Sequence, residues 1–136
     1  MRHWLFMFRP ETFEVVRREG VIGVLDTHRR RFAALVEGDR FITYLSRLRV
    51  LDGHGVLTSG PYVDDTQIFP VAQRYPWRCR VTVQRTGAAV PAADLLWTLG
   101  CWPDPMKTDP SNYLFCYGGF AEIPAEAYAR LREVIS

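Results

Sequence analysis

The stretch from residue 77 to residue 85 alternates apolar and polar side chains, and it constrains the fold more than any other part of the sequence. One face would carry Trp77, Cys79, Val81 and Val83, and the other would carry Arg78, Arg80, Thr82 and Gln84. A repeat of two residues is typical of a β-strand with one face in a core. The alternation therefore predicts a strand over residues 77–85, with its arginines on the face away from the core.

Most other apolar runs are short and are separated by turns or loops rather than by long helical crossovers. Further extended segments are predicted at residues 3–8, 40–46, 49–58, 67–69, 113–117 and 120–123. Helices are predicted at residues 10–19, 28–35, 91–99 and 125–135, where prolines and a glycine supply start and stop signals. The chain of 136 residues suits a single domain. Together these elements predict an α+β fold, a mixed β-barrel of about five or six strands with peripheral helices.

Local patterns refine three of these elements. Gly53 and Gly55 predict a bulge or a close backbone approach inside the strand at 49–58. Asp26 or Thr27 is expected to cap the helix at 28–35. The last helix is expected to bury a stripe formed by Tyr128, Leu131, Val134 and Ile135.

Positive charge is concentrated in the first part of the chain. Residues 1–50 contain ten arginines and six acidic residues, although the net charge of the whole chain is only +2. The basic side chains comprise 16 arginines and one lysine, a ratio that we associate with a GC-rich bacterial genome. Guanidinium groups suit phosphates and stack on bases. The charge therefore permits a nucleic-acid partner without requiring one.

The cysteines and the N-terminal residues bear on the compartment. Cys79, Cys101 and Cys116 have no metal-ligand spacing and suggest no disulfide framework, which favours a reducing environment. The first eight residues lack the features of a signal peptide. No apolar run approaches the roughly 18 residues that span a bilayer. We therefore expect a cytoplasmic protein without a membrane partner.

Catalytic motifs are absent from the sequence. His3, His28 and His54 are too widely spaced to suggest a zinc site, and no nucleophile elbow, P-loop or dinucleotide fingerprint occurs. Asp64 and Asp65 could bind a divalent ion, but a polar turn is the simpler interpretation. Neither Ser46 nor Cys116 has a base at a spacing that supports a nucleophile. The sequence therefore predicts no metal, no cofactor and no enzyme activity.

Aromatic residues make up 13% of the chain, and they divide into two groups. Core positions are predicted for Trp4, Phe6, Phe8, Phe13, Phe32, Phe41 and Tyr128. Candidates for a ligand platform are Tyr44, Trp102, Tyr113 and Tyr117, and Trp77 could serve either role. Arginines that could contact phosphates are Arg29, Arg30, Arg31, Arg47 and Arg49. Base stacking and salt-dependent phosphate contacts would combine in such a cleft.

The order of several segments resembles the EVE domain family, which belongs to the PUA-like superfamily and is related to YTH domains. The matching segments are residues 3–6, 13–16, 20–24, 36–44, 53–56, 61–65, 68–70, 75–81 and 122–128. No single segment is diagnostic, but their order and spacing together are fairly specific. The resemblance implies a PUA-like mixed β-barrel.

The resemblance also implies a pocket that accepts a modified base, such as a modified cytosine or adenine, flipped out of DNA or RNA. Carried onto this chain, the implied ligand-binding residues are Val21, Ile22, Gly23, Tyr44, Ser46, Trp102, Tyr113, Tyr117 and Gly118. The chain departs from the family pattern at Ile22, where a Trp is usual. An isoleucine can sandwich a base, but it offers no ring quadrupole.

Three functions follow as hypotheses. The leading one is a non-catalytic domain, expected as a monomer, that recognises modified DNA or RNA. The second is a small hydrolase of the ASCH type acting on a modified nucleoside, for which Asp26, His28 or Asp64 would supply the titratable group. The third is a sensor domain whose pocket binds a free small molecule.

Overall fold

A mixed sheet that curves into a half-barrel organises this computed structural model, which describes residues 1–70, 74–101 and 119–136. Its elements in chain order are β1 (His3–Phe8), α1 (Pro10–Glu19), β2 (Val21–Val24), a 3₁₀ turn (Asp26–His28), α2 (Arg29–Phe32), β3 (Arg40–Leu45), β4 (Val50–Leu57), β5 (Tyr62–Val63), β6 (Trp77–Gln84), β7 (Val90–Pro91), α3 (Ala93–Thr98), β8 (Phe120–Ile123) and α4 (Ala125–Ile135).

The strand order of the sheet is β2-β6-β4-β3-β1-β8, with β5 beside β6 and β7 beside β4. Strands β1 and β3 are parallel, and the other neighbours along this path are antiparallel. The connection between β1 and β3 contains α1, β2 and α2, as a parallel pair requires a crossover. This arrangement confirms the predicted α+β barrel with helices at its periphery.

Two apolar clusters cover opposite faces of the sheet, because successive side chains of a strand point to opposite sides. Trp4, Phe6 and Phe8 of β1 pack in the first cluster with residues of α1 and α2. Leu5 packs in the second cluster with Ile42, Leu51 and residues of α3 and α4. All seven aromatic residues assigned to the core from the sequence are buried.

Helix α1 begins and ends where its sequence signals predict. Pro10 occupies the first turn, and Gly20 follows the helix in the left-handed conformation, with φ of 66° and its N–H donating to the Val16 carbonyl at 2.8 Å. The second predicted helix is wrong in length, since the structure forms a 3₁₀ turn and then only four helical residues. Neither Asp26 nor Thr27 caps it; the Asp26 carboxylate instead binds Trp77 and Arg29.

The glycines of β4 confirm the predicted irregularity. The pairing register between β3 and β4 shifts between Ile42 and Tyr44, and Gly53 has φ of 114°. A Cβ at Gly55 would collide with the Phe41 ring and would lie 2.5 Å from the Thr82 carbonyl oxygen. The backbone of β4 therefore approaches its neighbours more closely than any side chain would permit at Gly55.

Two predicted orientations are wrong. Val134 is 41% exposed, and Ala127 instead joins Tyr128, Leu131 and Ile135 on the buried face of α4. Arg78 was expected on the open face of β6, but it is 2% exposed because the loop that precedes β6 folds over its guanidinium group.

Candidate ligand-binding site

A cavity of about 670 Å³ lies where the end of β1 approaches β2. Its lining residues are Phe6, Met7, Phe8, Arg9, Thr12, Ile22, Gly23, Val24, Leu25, His28, Phe32, Ser46, Phe69, Tyr75, Gly119 and Phe120. The volume is in the range of pockets that hold small ligands. A second depression of similar volume near Met1 and Asp39 is more open to solvent, so we take the cavity beside β2 as the candidate site.

The aromatic rings of the lining come from β1, α2, β8 and the loop between β5 and β6. The Phe6 ring stacks on Phe8 at 6.2 Å and on Phe120 at 5.7 Å between ring centroids. Phe69 and Tyr75, from the loop between β5 and β6, meet edge to face at 5.3 Å. These rings give the cavity apolar surfaces suited to a planar ligand.

Strand β2 contributes one wall through Ile22 and Gly23. Ile22 is 2% exposed and belongs to the first apolar cluster, although it reaches the cavity. A Cβ at Gly23 would lie 2.9 Å from the Tyr75 carbonyl oxygen and 3.2 Å from the Phe69 ring. The missing side chain therefore lets the aromatic loop lie directly on β2.

The polar groups of the lining come from Arg9, Thr12, His28 and Ser46. Arg9 is exposed and immediately precedes α1, whereas His28 is half-buried at the end of the 3₁₀ turn. The backbone N–H of Ser46 donates to the Phe8 carbonyl at 2.9 Å, and its hydroxyl donates to the same oxygen at 3.4 Å. Ser46 thus fixes the end of β1 at the cavity.

Of the nine ligand-binding residues implied by the resemblance, the structure brings Ile22, Gly23 and Ser46 together at the cavity. Val21 is buried next to them and is not part of the lining. Tyr44 does not reach the cavity, because the alternation of β3 directs it with Ile42 into the cluster on the opposite face. Predicted residues that lie outside the described part of the chain are Trp102, Tyr113, Tyr117 and Gly118.

Sequence reasoning missed the contributions of Phe69, Tyr75 and Arg9. Phe69 and Tyr75 lie in the long connection between β5 and β6, and such connections often carry binding residues on a rigid scaffold. Two aromatic residues in that loop, next to Pro70 and Pro76, were the available signal. Arg9 could have been found from its place between the apolar run of β1 and the helix-opening Pro10.

The five arginines assigned to phosphate contacts differ in their surroundings. Arg29 pairs with Asp26 at 2.7 Å, and Arg47 pairs with Glu11 at 3.4 Å. Both pairs are exposed and therefore weak, so either arginine could exchange its partner for a phosphate. Arg31 donates to the Phe120 carbonyl at 3.0 Å and stacks on the Phe120 ring at 4.5 Å, which makes it part of the packing. Arg30 and Arg49 are exposed.

The groups considered for hydrolysis do not converge at the cavity. Both Asp26 carboxylate oxygens are hydrogen-bonded, one to the Trp77 indole at 2.8 Å and the other to Arg29. Asp64 accepts bonds from the Thr66 backbone N–H and hydroxyl, which hold its carboxyl pKa below the ordinary value. That geometry is a polar turn, as the simpler interpretation of Asp64 and Asp65 predicts. His28 lies at the cavity without either carboxylate among the lining residues.

The thiols of the described residues are buried in the apolar clusters. Burial raises the pKa of the Cys79 thiol to about 12, with a further contribution from Asp39, and burial raises the pKa of Cys101 to about 11. Both thiols therefore stay protonated at neutral pH. Within residues 1–70, 74–101 and 119–136, no group of histidine, cysteine and acidic side chains is arranged to hold a metal ion.

The chain was compared with family models, curated proteins and solved structures. No family model matches the sequence. The curated UPF0310 protein PH1033 of Pyrococcus horikoshii is 27% identical over 100 residues, which cover 64% of this chain and 69% of that protein.

Solved structures match over nearly the whole chain. Human THYN1 in complex with DNA containing 5-methylcytosine has a TM-score of 0.64 at 14% identity, covering 100% of this chain and 98% of that one. The YTH domain of Zygosaccharomyces rouxii MRB1 in complex with N6-methyladenosine RNA has a TM-score of 0.66 at 13% identity, covering 98% and 86%. A hypothetical protein from Leishmania major has a TM-score of 0.65 at 17% identity, covering 99% and 94%.

The chain has a PUA-like fold. At these identities the likeness establishes the architecture and leaves the ligand to be argued from the residues of this chain. In this fold the cavity lies between β1, β2 and the loop before β6 that carries Phe69 and Tyr75. Among the described residues, no helix combines the length and apolar character needed to cross a bilayer.

Proposed function

We propose that residues 1–136 form a single EVE-like domain that binds a modified base, flipped out of DNA or RNA, in the cavity beside β2. The observation that carries this proposal is a cavity of about 670 Å³ lined by aromatic rings, in a fold shared with proteins solved with 5-methylcytosine DNA and N6-methyladenosine RNA. The domain acts by binding alone, as a monomer in the cytoplasm, without a cofactor or metal.

The energetics of base flipping fit this lining. Extruding a base costs a few kcal/mol in lost stacking and pairing, and the pocket must return that free energy. Stacking on an aromatic side chain returns about 1–3 kcal/mol per base. Ile22 provides apolar contact without a ring, so we assign the aromatic contribution to Phe69 and Tyr75 on the neighbouring wall. A methyl group on the base adds apolar area that the same wall can cover.

The charges around the cavity favour a polyanion over a free cation. Arg9 is an exposed guanidinium in the lining. Arg47 follows the lining residue Ser46 and forms an ion pair with Glu11 of α1. A phosphate next to the flipped base would contact Arg9, and such contacts orient a strand without reading its sequence. The carboxylates considered for hydrolysis are held by Trp77, Arg29 and Thr66, which supports a binding function over an enzymatic one.

The direct test is fluorescence anisotropy with short labelled oligonucleotides at two salt concentrations. The set contains DNA with one 5-methylcytosine, RNA with one N6-methyladenine, the unmodified strands, and strands with an abasic site. We expect one modified strand to bind about tenfold more tightly than its unmodified form, a difference of about 1.4 kcal/mol. Equal affinity for all strands, or turnover of a free modified nucleoside, would contradict the proposal.

Arg9→Ala and Arg130→Ala form a charge-matched pair for the same assay. Arg9 lines the cavity, whereas Arg130 is exposed on α4, which packs against the opposite face of the sheet. We expect Arg9→Ala to weaken binding to every strand and to reduce the salt dependence by about one phosphate contact. Arg130→Ala should leave both quantities unchanged.

A further inference from the structure

Arg78 carries a buried charge that the candidate site does not use directly. Its side chain is 2% exposed, and it is not part of the cavity lining. Burying a guanidinium group is unfavourable unless hydrogen bonds and a counter-charge replace its hydration. The groups that bind Arg78 therefore indicate the structural role of its buried side chain.

Those partners belong to the loop between β5 and β6. The guanidinium donates to the carbonyls of Tyr75 at 3.1 Å, Arg74 at 2.9 Å and Thr66. The Asp64 carboxylate lies 3.6 Å away as a counter-ion. The planar guanidinium group has five donors, so it can bind the carbonyl of Thr66 and the carbonyls of Arg74 and Tyr75 at once. A lysine ammonium, which is a point charge on a flexible stem, does this less well. We call this set of contacts the arginine clasp.

The arginine clasp holds the aromatic wall of the cavity. The Phe69 ring centroid lies 5.6 Å from the Arg78 guanidinium carbon, and the Tyr75 ring meets the Phe69 ring edge to face. Both Phe69 and Tyr75 line the cavity. A single side chain outside the cavity therefore contacts or bonds to each of the two residues that form this wall.

The backbone at Tyr75 adopts a conformation that its side chain disfavours, which indicates that surrounding contacts hold the wall in place. Tyr75 has φ of 48°, in the left-handed region that a bulky side chain rarely adopts, and its carbonyl is one of the three bound by Arg78. Such conformations persist where surrounding contacts impose them. On the opposite side, the loop rests on Gly23, where a Cβ would lie 3.0 Å from the Tyr75 Cβ.

We propose that Arg78 is a positioning residue for ligand binding: through the arginine clasp it holds Phe69 and Tyr75 against β2 as an aromatic wall, in which one ring stacks on a planar aromatic base and the perpendicular ring contacts its edge. This inference rests on the proposed function, since it assigns the wall to the base of that ligand. It predicts that affinity for the base depends on a residue that the ligand does not touch.

Arg78→Lys tests the inference, with Arg80→Lys as the matched control. Arg80 lies two residues further along β6, is exposed, and places its guanidinium carbon 5.4 Å from the Tyr62 ring centroid. Lysine keeps the positive charge that Arg80 presents to Asp64. We expect Arg78→Lys to lower affinity for the modified strand about tenfold while leaving affinity for the abasic strand unchanged. General loss of folded protein would instead lower both affinities by the same factor. Arg80→Lys should preserve the difference between the two strands.

Limited trypsin digestion reports on the clasp without any nucleic acid. Arg74 is exposed, but its carbonyl is bound by Arg78, so the wild-type protein should resist cleavage after Arg74. Arg78→Lys should accelerate cleavage at that bond more than at other exposed arginines. If Arg78→Lys does not fold, Asp64→Asn removes the counter-ion of the clasp at a residue outside the cavity lining. It should cause the same faster cleavage after Arg74 and the same selective loss of base affinity.

The outcomes separate the two proposals. Unchanged cleavage after Arg74 in Arg78→Lys would overturn the clasp, and faster cleavage with base affinity retained would overturn the positioning role. A wild-type protein that binds modified and abasic strands equally would overturn the proposed function and the positioning role together, whatever the digestion shows.

Discussion

Gly55 shows how one residue sets the spacing of this sheet. A Cβ on Gly55 would collide with the Phe41 ring and would lie 2.5 Å from the Thr82 carbonyl oxygen, so neither neighbour leaves room for a methyl group. The sequence indicated a bulge or close approach from the spacing of Gly53 and Gly55, since glycine inside a strand usually marks such a place. It could not indicate which neighbours approach, because Phe41 and Thr82 lie on different strands.

Gly55→Ala should therefore destabilise the fold, and Gly60→Ala provides the control. Overpacking a tight core site costs about 1–3 kcal/mol, and the two contacts at Gly55 place this variant at the upper end. Nothing lies within 4 Å of a Cβ at Gly60, so that alanine should change the free energy of unfolding by less than about 1 kcal/mol. Urea denaturation of both variants measures the difference. Equal stabilities would mean that β4 can move away from Phe41.

At the scale of elements, regular strands and helices followed from local patterns. The strand β6, the helix α1 with Pro10 and Gly20, and the last helix from Ala125 to Ile135 all lie where periodicity and stop signals predicted them. Orientation was harder to predict where distant segments compete. The alternation of β6 places Arg78 on the open face, but the loop before β6 covers that face at Arg78 and its carbonyls accept hydrogen bonds from the guanidinium group.

Only part of the candidate site was predicted, because its other residues are placed by contacts between distant segments. Ile22 and Gly23 reach the cavity because they lie on β2, whose position the family resemblance implied. Tyr44 was expected beside Ser46, yet β3 ends at Leu45, so the chain turns between the strand and Ser46 while Tyr44 stays in the alternation of β3. Phe69 and Tyr75 were missed because a loop without periodicity gives no information about what it packs against.

Asp39 joins the two strands of the parallel pair, and its loss should weaken that pairing. Its buried carboxylate accepts bonds from the Arg2 N–H at 3.0 Å, the Trp4 indole at 3.0 Å and the Val36 N–H at 3.1 Å. Asp39→Ala would leave these donors unsatisfied, and each buried unsatisfied group costs about 1–3 kcal/mol.

We expect Asp39→Ala to lower the free energy of unfolding by about 3 kcal/mol in urea denaturation, because solvent reaches the Arg2 end of the site and offsets part of the loss. Glu37→Ala, an exposed substitution two residues earlier, should stay within about 0.5 kcal/mol of the wild type. A change below about 1 kcal/mol in Asp39→Ala would mean that the β1–β3 pair does not depend on this carboxylate.

At the scale of the whole molecule, the sheet and the C-terminal helix are coupled through charge as well as through packing. Helix α4 packs on the second apolar cluster, where Leu131 and Ile135 meet residues of β3 and β4. On β4, His54 has a pKa held below the ordinary 6.5, first by burial and then by the positive charge of Arg132 on α4. Protonation of His54 therefore acts against the docked position of the helix.

The sign of the resulting pH dependence follows from this lowered pKa. In the unfolded chain His54 takes up a proton near pH 6.5, whereas in the folded protein it does so at lower pH, so the unfolded state binds more protons in between. The free energy of unfolding should therefore be highest above about pH 7 and should fall as the pH is lowered through 6.5 towards the folded pKa. Arg132→Gln should raise the folded pKa of His54, but not fully to 6.5, because burial is the larger cause. NMR titration of the His54 ring protons checks both values, with Arg130→Gln as the control, and a His54 pKa at or above 6.5 in the wild-type protein would contradict the coupling.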